Sequence, residues 1–169
     1  MKPISLFGGS LKIHPVFLAV AAIAVFLGQA GIVMAFALAV AVHEFAHMLT
    51  ARAVGLDVEC LYVLPFGCAA EISGYGNAGN TKEIITAAAG PAGNIFLACT
   101  LTLLPQAFLG DMMLMFIWAN VTVAAVNMLP VLPLDGGRVL MAALKNQKKK
   151  KTAWRVLNGA GAAVGLAMA

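Results

Sequence analysis

Ala39-Val40-Ala41-Val42-His43-Glu44-Phe45-Ala46-His47-Met48-Leu49-Thr50 is the stretch on which the reading of this chain turns. It is an apolar run broken by one cluster of three ionisable side chains. On a helix, positions four apart lie on one face, one turn from each other. Both imidazoles can then reach a single metal ion. Glu44 stands about 100 degrees round the helix from His43, beside the ion without being a ligand. That is the geometry of HExxH in zinc hydrolases, where the glutamate is the general base. Each ionisable group inside a membrane span costs at least about 2.5 kcal/mol, so three together require a reason. A hydrogen-bonded His–Glu cluster or an ion path could supply one. Metal binding accounts for the pattern best.

The rest of the chain makes lipid the solvent of that helix. Of 169 residues, 62% are hydrophobic and 11% charged, whereas soluble domains are about half apolar and a quarter charged. The expected fold class is an all-α polytopic membrane protein. It is a multi-helix transmembrane bundle with a short β-hairpin region at the membrane edge. Spans need roughly 20 apolar residues, and the predicted helices cover about 14–28, 31–54, 83–105, 111–130 and 153–169. Residues 57–76 carry Val, Ile, Leu, Tyr and Phe among Cys, Pro and Gly, which reads as short strands bent at Leu64-Pro65-Phe66-Gly67. Lys2 and Lys12 precede the first apolar run, which is read as a retained helix because no small-residue cleavage site follows. The whole chain is expected to be one metalloprotease domain, cut within its fifth helix.

The cations order the predicted helices. Lys2, Lys12, Arg52, Lys82, Arg138, Lys145, Lys148 to Lys151 and Arg155 all fall on one side if the first four helices each cross once. The positive-inside rule then puts the N-terminus and the mouth of the site in the cytosol. The lysine run is read as a flank facing lipid headgroups. No basic face is interleaved with aromatics, which argues against nucleic acid. Cys60, Cys68 and Cys99 form no close pair, which argues against a disulfide framework. His14 and the nine methionines are read as interfacial or packing residues.

Two histidines leave a catalytic zinc one protein ligand short. The candidates are Asp57, Glu59, Glu71, Glu83, Asp111 and Asp135. Asp135, in Pro133-Leu134-Asp135-Gly136-Gly137, is favoured because it follows the fourth helix on the same side as His47. Its alternative role is a cap for the next helix. One Zn2+ ion held by His43, His47 and Asp135, with Glu44 as general base, would carry out metal-assisted peptide hydrolysis. A closed helix hides its carbonyls, so a substrate must be held extended. An exposed strand edge near Phe66, Gly67 and on to Ile72 could pair with it; the alternative is a hairpin that only plugs the mouth of the site.

With these residues together, the chain resembles the site-2 proteases, intramembrane metalloproteases with an HExxH helix and a later aspartate in an LDG context. Here those are His43-Glu44-Phe45-Ala46-His47 and Leu134-Asp135-Gly136. Lys12-Ile13-His14, Leu64-Pro65-Phe66-Gly67, Ala89-Gly90-Pro91 and Asn127 through Gly137 are similar to the sporulation branch of that family. The resemblance implies six core helices and a cytosolic CBS domain. It also implies that Asn127 and Pro133 lie near bound substrate. It implies, further, a membrane-associated pro-sigma factor as substrate, inhibitory membrane proteins as partners, and a bacterial cell or forespore membrane as location. The competing readings are a metal-ion transporter or channel and an inactive scaffold of protease fold. The first is weakened by the lack of internal repeats, the second by the intact Glu44.

Overall fold

The computed structural model describes residues 4–6, 11–13, 15–64, 67–72, 78–105, 110–145 and 154–159. His14, Phe66, the lysine run and most of the last apolar segment lie outside the described residues. The order is β1 (Ile4–Leu6), β2 (Leu11–Ile13), α1 (Pro15–Phe26), α2 (Ala30–Ala53), β3 (Val58–Leu64), β4 (Gly67–Ile72), α3 (Asn80–Thr102), α4 (Asp111–Asn127) and α5 (Asp135–Ala143). Residues 154–159 are also helical. The molecule is mostly helical.

Among the described residues, two helices are long and apolar enough to cross a membrane, α2 and α3. At 24 and 23 residues they extend about 36 and 34 Å, against a hydrocarbon thickness of about 30 Å. α4 is apolar but has 17 residues, and α1 has only 12, about 18 Å of helix.

The packing is that of a protein solvated by lipid. The buried apolar residues are mostly alanines: Ala35, Ala39, Ala51, Ala87, Ala98, Ala119 and Ala124. The large apolar side chains face outward, among them Phe45, Leu49, Phe96 and Trp118. Small residues let helix backbones approach closely where lipid removes the hydrophobic drive to bury large ones. The polar residues turn inward: His43, Glu44, His47, Glu83, Thr86, Asn94, Asn120 and Asp135 are all buried. In water this distribution would be inverted. α2, α3 and α4 pack on one another, and α5 lies along α3.

The strands form one four-stranded sheet in the order β1-β2-β3-β4. β1 and β2 are antiparallel, β2 and β3 parallel, β3 and β4 antiparallel. Two of these strands come from the N-terminal segment, which the sequence reading treated only as a charged flank of the first helix. Three-residue strands carry too little alternation to be seen in sequence; here β2 exists by pairing with the longer β3, and β1 by pairing with β2. Cys60 lies opposite Glu71 and Cys68 opposite Val63, so the two cysteines are not cross-strand partners. β4 approaches α2, which brings the sheet to the helix that carries the histidines.

Lys145, just past α5, donates to Glu83 in the first turn of α3 at 2.7 Å. The pair fastens one end of α5 to α3, while Asp135 begins the other end. Removing one partner of a buried ion pair is strongly destabilising, and partial exposure of Lys145 reduces the effect to about 1–2 kcal/mol. Lys145→Met should therefore lower the thermal midpoint in detergent by several degrees. An unchanged midpoint would show that the ion pair adds no net stability.

Candidate metal centre

The site starts from two turns of α2. His43 and His47 project from the same face, their ring centroids 4.6 Å apart and their planes at 84°. They sit about 15 and 9 Å of helix from its C-terminal end, at depth in the apolar segment. Glu44 is buried beside them.

The third side chain arrives from α5. Asp135 Oδ2 lies 2.9 Å from His43 Nε2 and 3.1 Å from His47 Nε2, and the two Nε2 atoms are 3.1 Å apart. His43, His47 and Asp135 form a group that could hold a metal ion, and all three are buried. Asp135 is not the N-cap of α5: Leu134 is, with no side-chain cap bond. Its other oxygen, Oδ1, is 3.6 Å from Arg138 Nη1.

The turn before α5 makes this placement possible. A Cβ on Gly136 would lie 2.5 Å from the Met128 carbonyl carbon and 2.6 Å from the Leu129 carbonyl oxygen. The loop from α4 doubles back across the start of α5, and only glycine after the aspartate leaves room for it. Gly90 in α3 plays a comparable part. A Cβ there would collide with His47 Nε2 and lie 2.7 Å from His43 Nε2. The backbone of α3 thus passes directly against the metal-facing edges of both imidazoles.

The outer nitrogens decide whether the set suits a metal. His47 Nδ1 is 2.7 Å from the Thr86 carbonyl oxygen, which can only accept, so Nδ1 carries the proton. His43 Nδ1 is 2.7 Å from Asn94 Oδ1, which demands the same tautomer. Neutral rings held this way turn lone pairs at both Nε2 atoms toward the Asp135 carboxylate. Three lone-pair atoms at 2.9–3.1 Å repel one another unless a cation lies between them. Four-coordinate zinc, with bonds of about 2.0–2.1 Å, needs ligand atoms about 3.3 Å apart. The donor set, two imidazoles and one carboxylate, fits zinc in composition and in spacing.

The other acidic candidates fall elsewhere. Asp57 and Asp111 are exposed, and Glu83 pairs with Lys145. The side chains of Glu59 and Glu71 lie outside the described residues. Asn127 is half-buried and donates from Nδ2 to the Val123 carbonyl, 2.9 Å away on its own helix. Pro133 is exposed in the loop before α5. Gly67 opens β4, and Phe66 lies outside the described residues.

Sequence reasoning passed over Asn94, Asn120 and Thr86. Asn94 and Asn120 are wholly buried amides in apolar helices, and a polar residue in such a setting is itself a signal.

Comparison with known proteins places the chain. The model of Peptidase family M50 matches residues 31–111 and 102–168. The chain is 27% identical over 148 residues to Stage IV sporulation protein FB of Bacillus subtilis, covering 86% of this chain and 51% of that protein. It is 27% identical over 113 residues to a zinc metalloprotease of Methanocaldococcus jannaschii, covering 64% of this chain and 32% of the relative. The chain therefore spans about half the length of the first of these relatives and about a third of the second. The structure of the Site-2 Protease from Methanocaldococcus jannaschii superposes with a TM-score of 0.78 at 22% identity, over 98% of this chain and 82% of that one. The fold is shared.

Proposed function

Because the chain belongs to Peptidase family M50, the site-2 proteases, we propose that it is the metal-binding core of an intramembrane zinc metalloprotease that hydrolyses a peptide bond of a membrane-associated protein. The observation that carries this reading is the meeting of His43 Nε2, His47 Nε2 and Asp135 Oδ2 within 3.1 Å of one another at membrane depth.

His43, His47 and Asp135 hold the zinc. When bound, zinc lowers the pKa of water toward neutrality and polarises a carbonyl. Glu44 accepts a proton at its carboxylate and delivers it to the leaving amine. The second carboxylate oxygen of Asp135 faces Arg138, which keeps the other turned to the histidines. The small-residue interior of α2, α3 and α4 excludes lipid from the reacting groups.

A substrate has to be unwound before its carbonyl can be reached. Among the described residues β4 pairs on one side only, with β3, and it lies against α2. Its free edge, which starts at Gly67, would hold the substrate extended by main-chain pairing, and Phe66 precedes it in sequence. Asn127, at the end of α4, and Pro133, in the loop before α5, would contact the substrate. The distribution of Lys and Arg supports a multi-pass chain with the N-terminus and the site's mouth on the cytosolic side. The likeness to Stage IV sporulation protein FB supports a pro-sigma factor as substrate, inhibitory membrane proteins as partners and a cell or forespore membrane as location.

The test is reversible metal dependence. The full natural chain, purified in detergent, should contain one zinc and shorten a tagged pro-sigma factor. Chelation should stop cleavage, and zinc should restore it. Undiminished cleavage by the stripped protein would overturn the metalloprotease reading. Zinc-dependent cleavage of another membrane-associated protein, with the pro-sigma factor untouched, would overturn only the substrate assignment.

A further inference from the structure

Two buried asparagines lie behind His43, in helices whose other buried residues are mostly small or apolar. Asn94 of α3 and Asn120 of α4 are both 0% exposed. Burying two amides among apolar helices is costly unless every donor and acceptor is used. Their bonds show how the cost is offset, and also which way each amide points.

The direction follows from two main-chain carbonyls, which can only accept. Asn120 Nδ2 donates to the Phe116 carbonyl at 2.8 Å, so Asn120 Oδ1 is the atom turned toward Asn94. Asn94 Nδ2 donates to that Oδ1 at 2.7 Å and to the Ala39 carbonyl at 2.9 Å. Both protons of the Asn94 amide are thereby spent. Its oxygen is left facing His43 Nδ1 at 2.7 Å, and His43 must donate. Reversing either amide would set oxygen against a carbonyl, so the chain from Phe116 to His43 has one polarity.

We propose that Asn94, oriented by Asn120 and by the Ala39 carbonyl, is a positioning residue that fixes His43 as its Nδ1–H tautomer and turns the Nε2 lone pair toward the metal. The inference rests on the metal centre of the proposed function. His47 receives the same service from a main-chain carbonyl, that of Thr86. His43 depends on a side chain, and so on a residue that can be exchanged. Outer partners that orient a metal-bound histidine typically change metal affinity 10–100-fold when removed. The relay also joins α2, α3 and α4 at the depth of the site, so the helix positions and the ring orientation are set by one set of bonds.

The experiment measures zinc affinity of the full natural chain in detergent, by competition with a fluorescent chelator, alongside thermal unfolding of the stripped protein. Asn94→Leu removes the acceptor and should weaken zinc about 10–100-fold. Asn94→Asp keeps an acceptor at the same place while losing both donors. It should melt lower than the native chain, yet bind zinc more tightly than Asn94→Leu by about tenfold or more. A residue that only supported packing would lose affinity in step with its melting point in both variants, and that outcome would overturn the proposal. Native affinity in Asn94→Leu would overturn it too. If Asn94→Leu does not fold, Asn120→Ala decides: it leaves the acceptor held by the Ala39 carbonyl alone, and should weaken zinc several-fold. Unchanged affinity there would overturn the inference. A native chain that binds no zinc would instead remove the metal centre on which the proposal stands.

Discussion

Replacing Glu44 with glutamine is expected to slow peptide hydrolysis by about 10²–10⁴-fold while zinc stays bound, the range that a positioned general base contributes. The substitution keeps the shape of the side chain and removes its ability to take a proton. Glu44 is buried beside the histidines, but the three atoms that converge belong to His43, His47 and Asp135. Zinc content measured on the purified variant should therefore match the native chain. His43→Ala gives the contrast, because it should lose zinc and activity together. Equal cleavage by native and Glu44→Gln proteins would take Glu44 out of the mechanism. Loss of zinc from Glu44→Gln would make it a ligand and leave the general base to be found elsewhere.

What the sequence carried about this site depended on spacing. His43, Glu44 and His47 declare themselves because helix geometry converts an interval of four into a shared face. Asp135 was legible in part: the need for a third ligand and its side of the membrane favoured it, but six acids were open and a helix cap was a fair alternative. The loop that doubles back over Gly136, a fold of backbone that no local pattern encodes, leaves Leu134 at the cap and brings Asp135 against the two imidazoles. β1 and β2 were not legible, since three residues such as Ile4–Leu6 are strands only through their pairing. Asn94 and Asn120 were visible as polar residues in apolar helices. Their meaning was not, because it lies in three helices meeting at one histidine. Gly90 stands in the sequence only as part of Ala89-Gly90-Pro91, one stretch of the family resemblance. Its closeness to His43 and His47 exists only in the packed molecule.

That closeness gives the other large effect. Gly90→Ala should cost the protein its zinc. An added Cβ would run into His47 Nε2 and come within 2.7 Å of both Cε1 and Nε2 of His43, the atoms that face the metal. Relief would require the rings to turn, which breaks their bonds to Thr86 and Asn94, or α3 to withdraw from α2, which separates Asn94 from Ala39. Either movement spoils the convergence with Asp135. Metal sites are sensitive to displacements of about 1 Å, and cleavage should fall at least about 100-fold with zinc content. Gly93 separates this effect from simple crowding of the helices. A Cβ there would lie 2.7 Å from the Cβ of Ala46, and among the described residues no other atom from outside its own helix turn comes within 4 Å. Gly93→Ala should push α3 from α2 and lower stability, and adding Ala46→Gly should restore it by vacating the same space. Gly90→Ala has no such partner to trim, because what it meets are the ligands themselves. Full zinc occupancy in Gly90→Ala would mean that α3 can move away without disturbing the rings. The close passage of its backbone would then be a consequence of the site and no part of its construction.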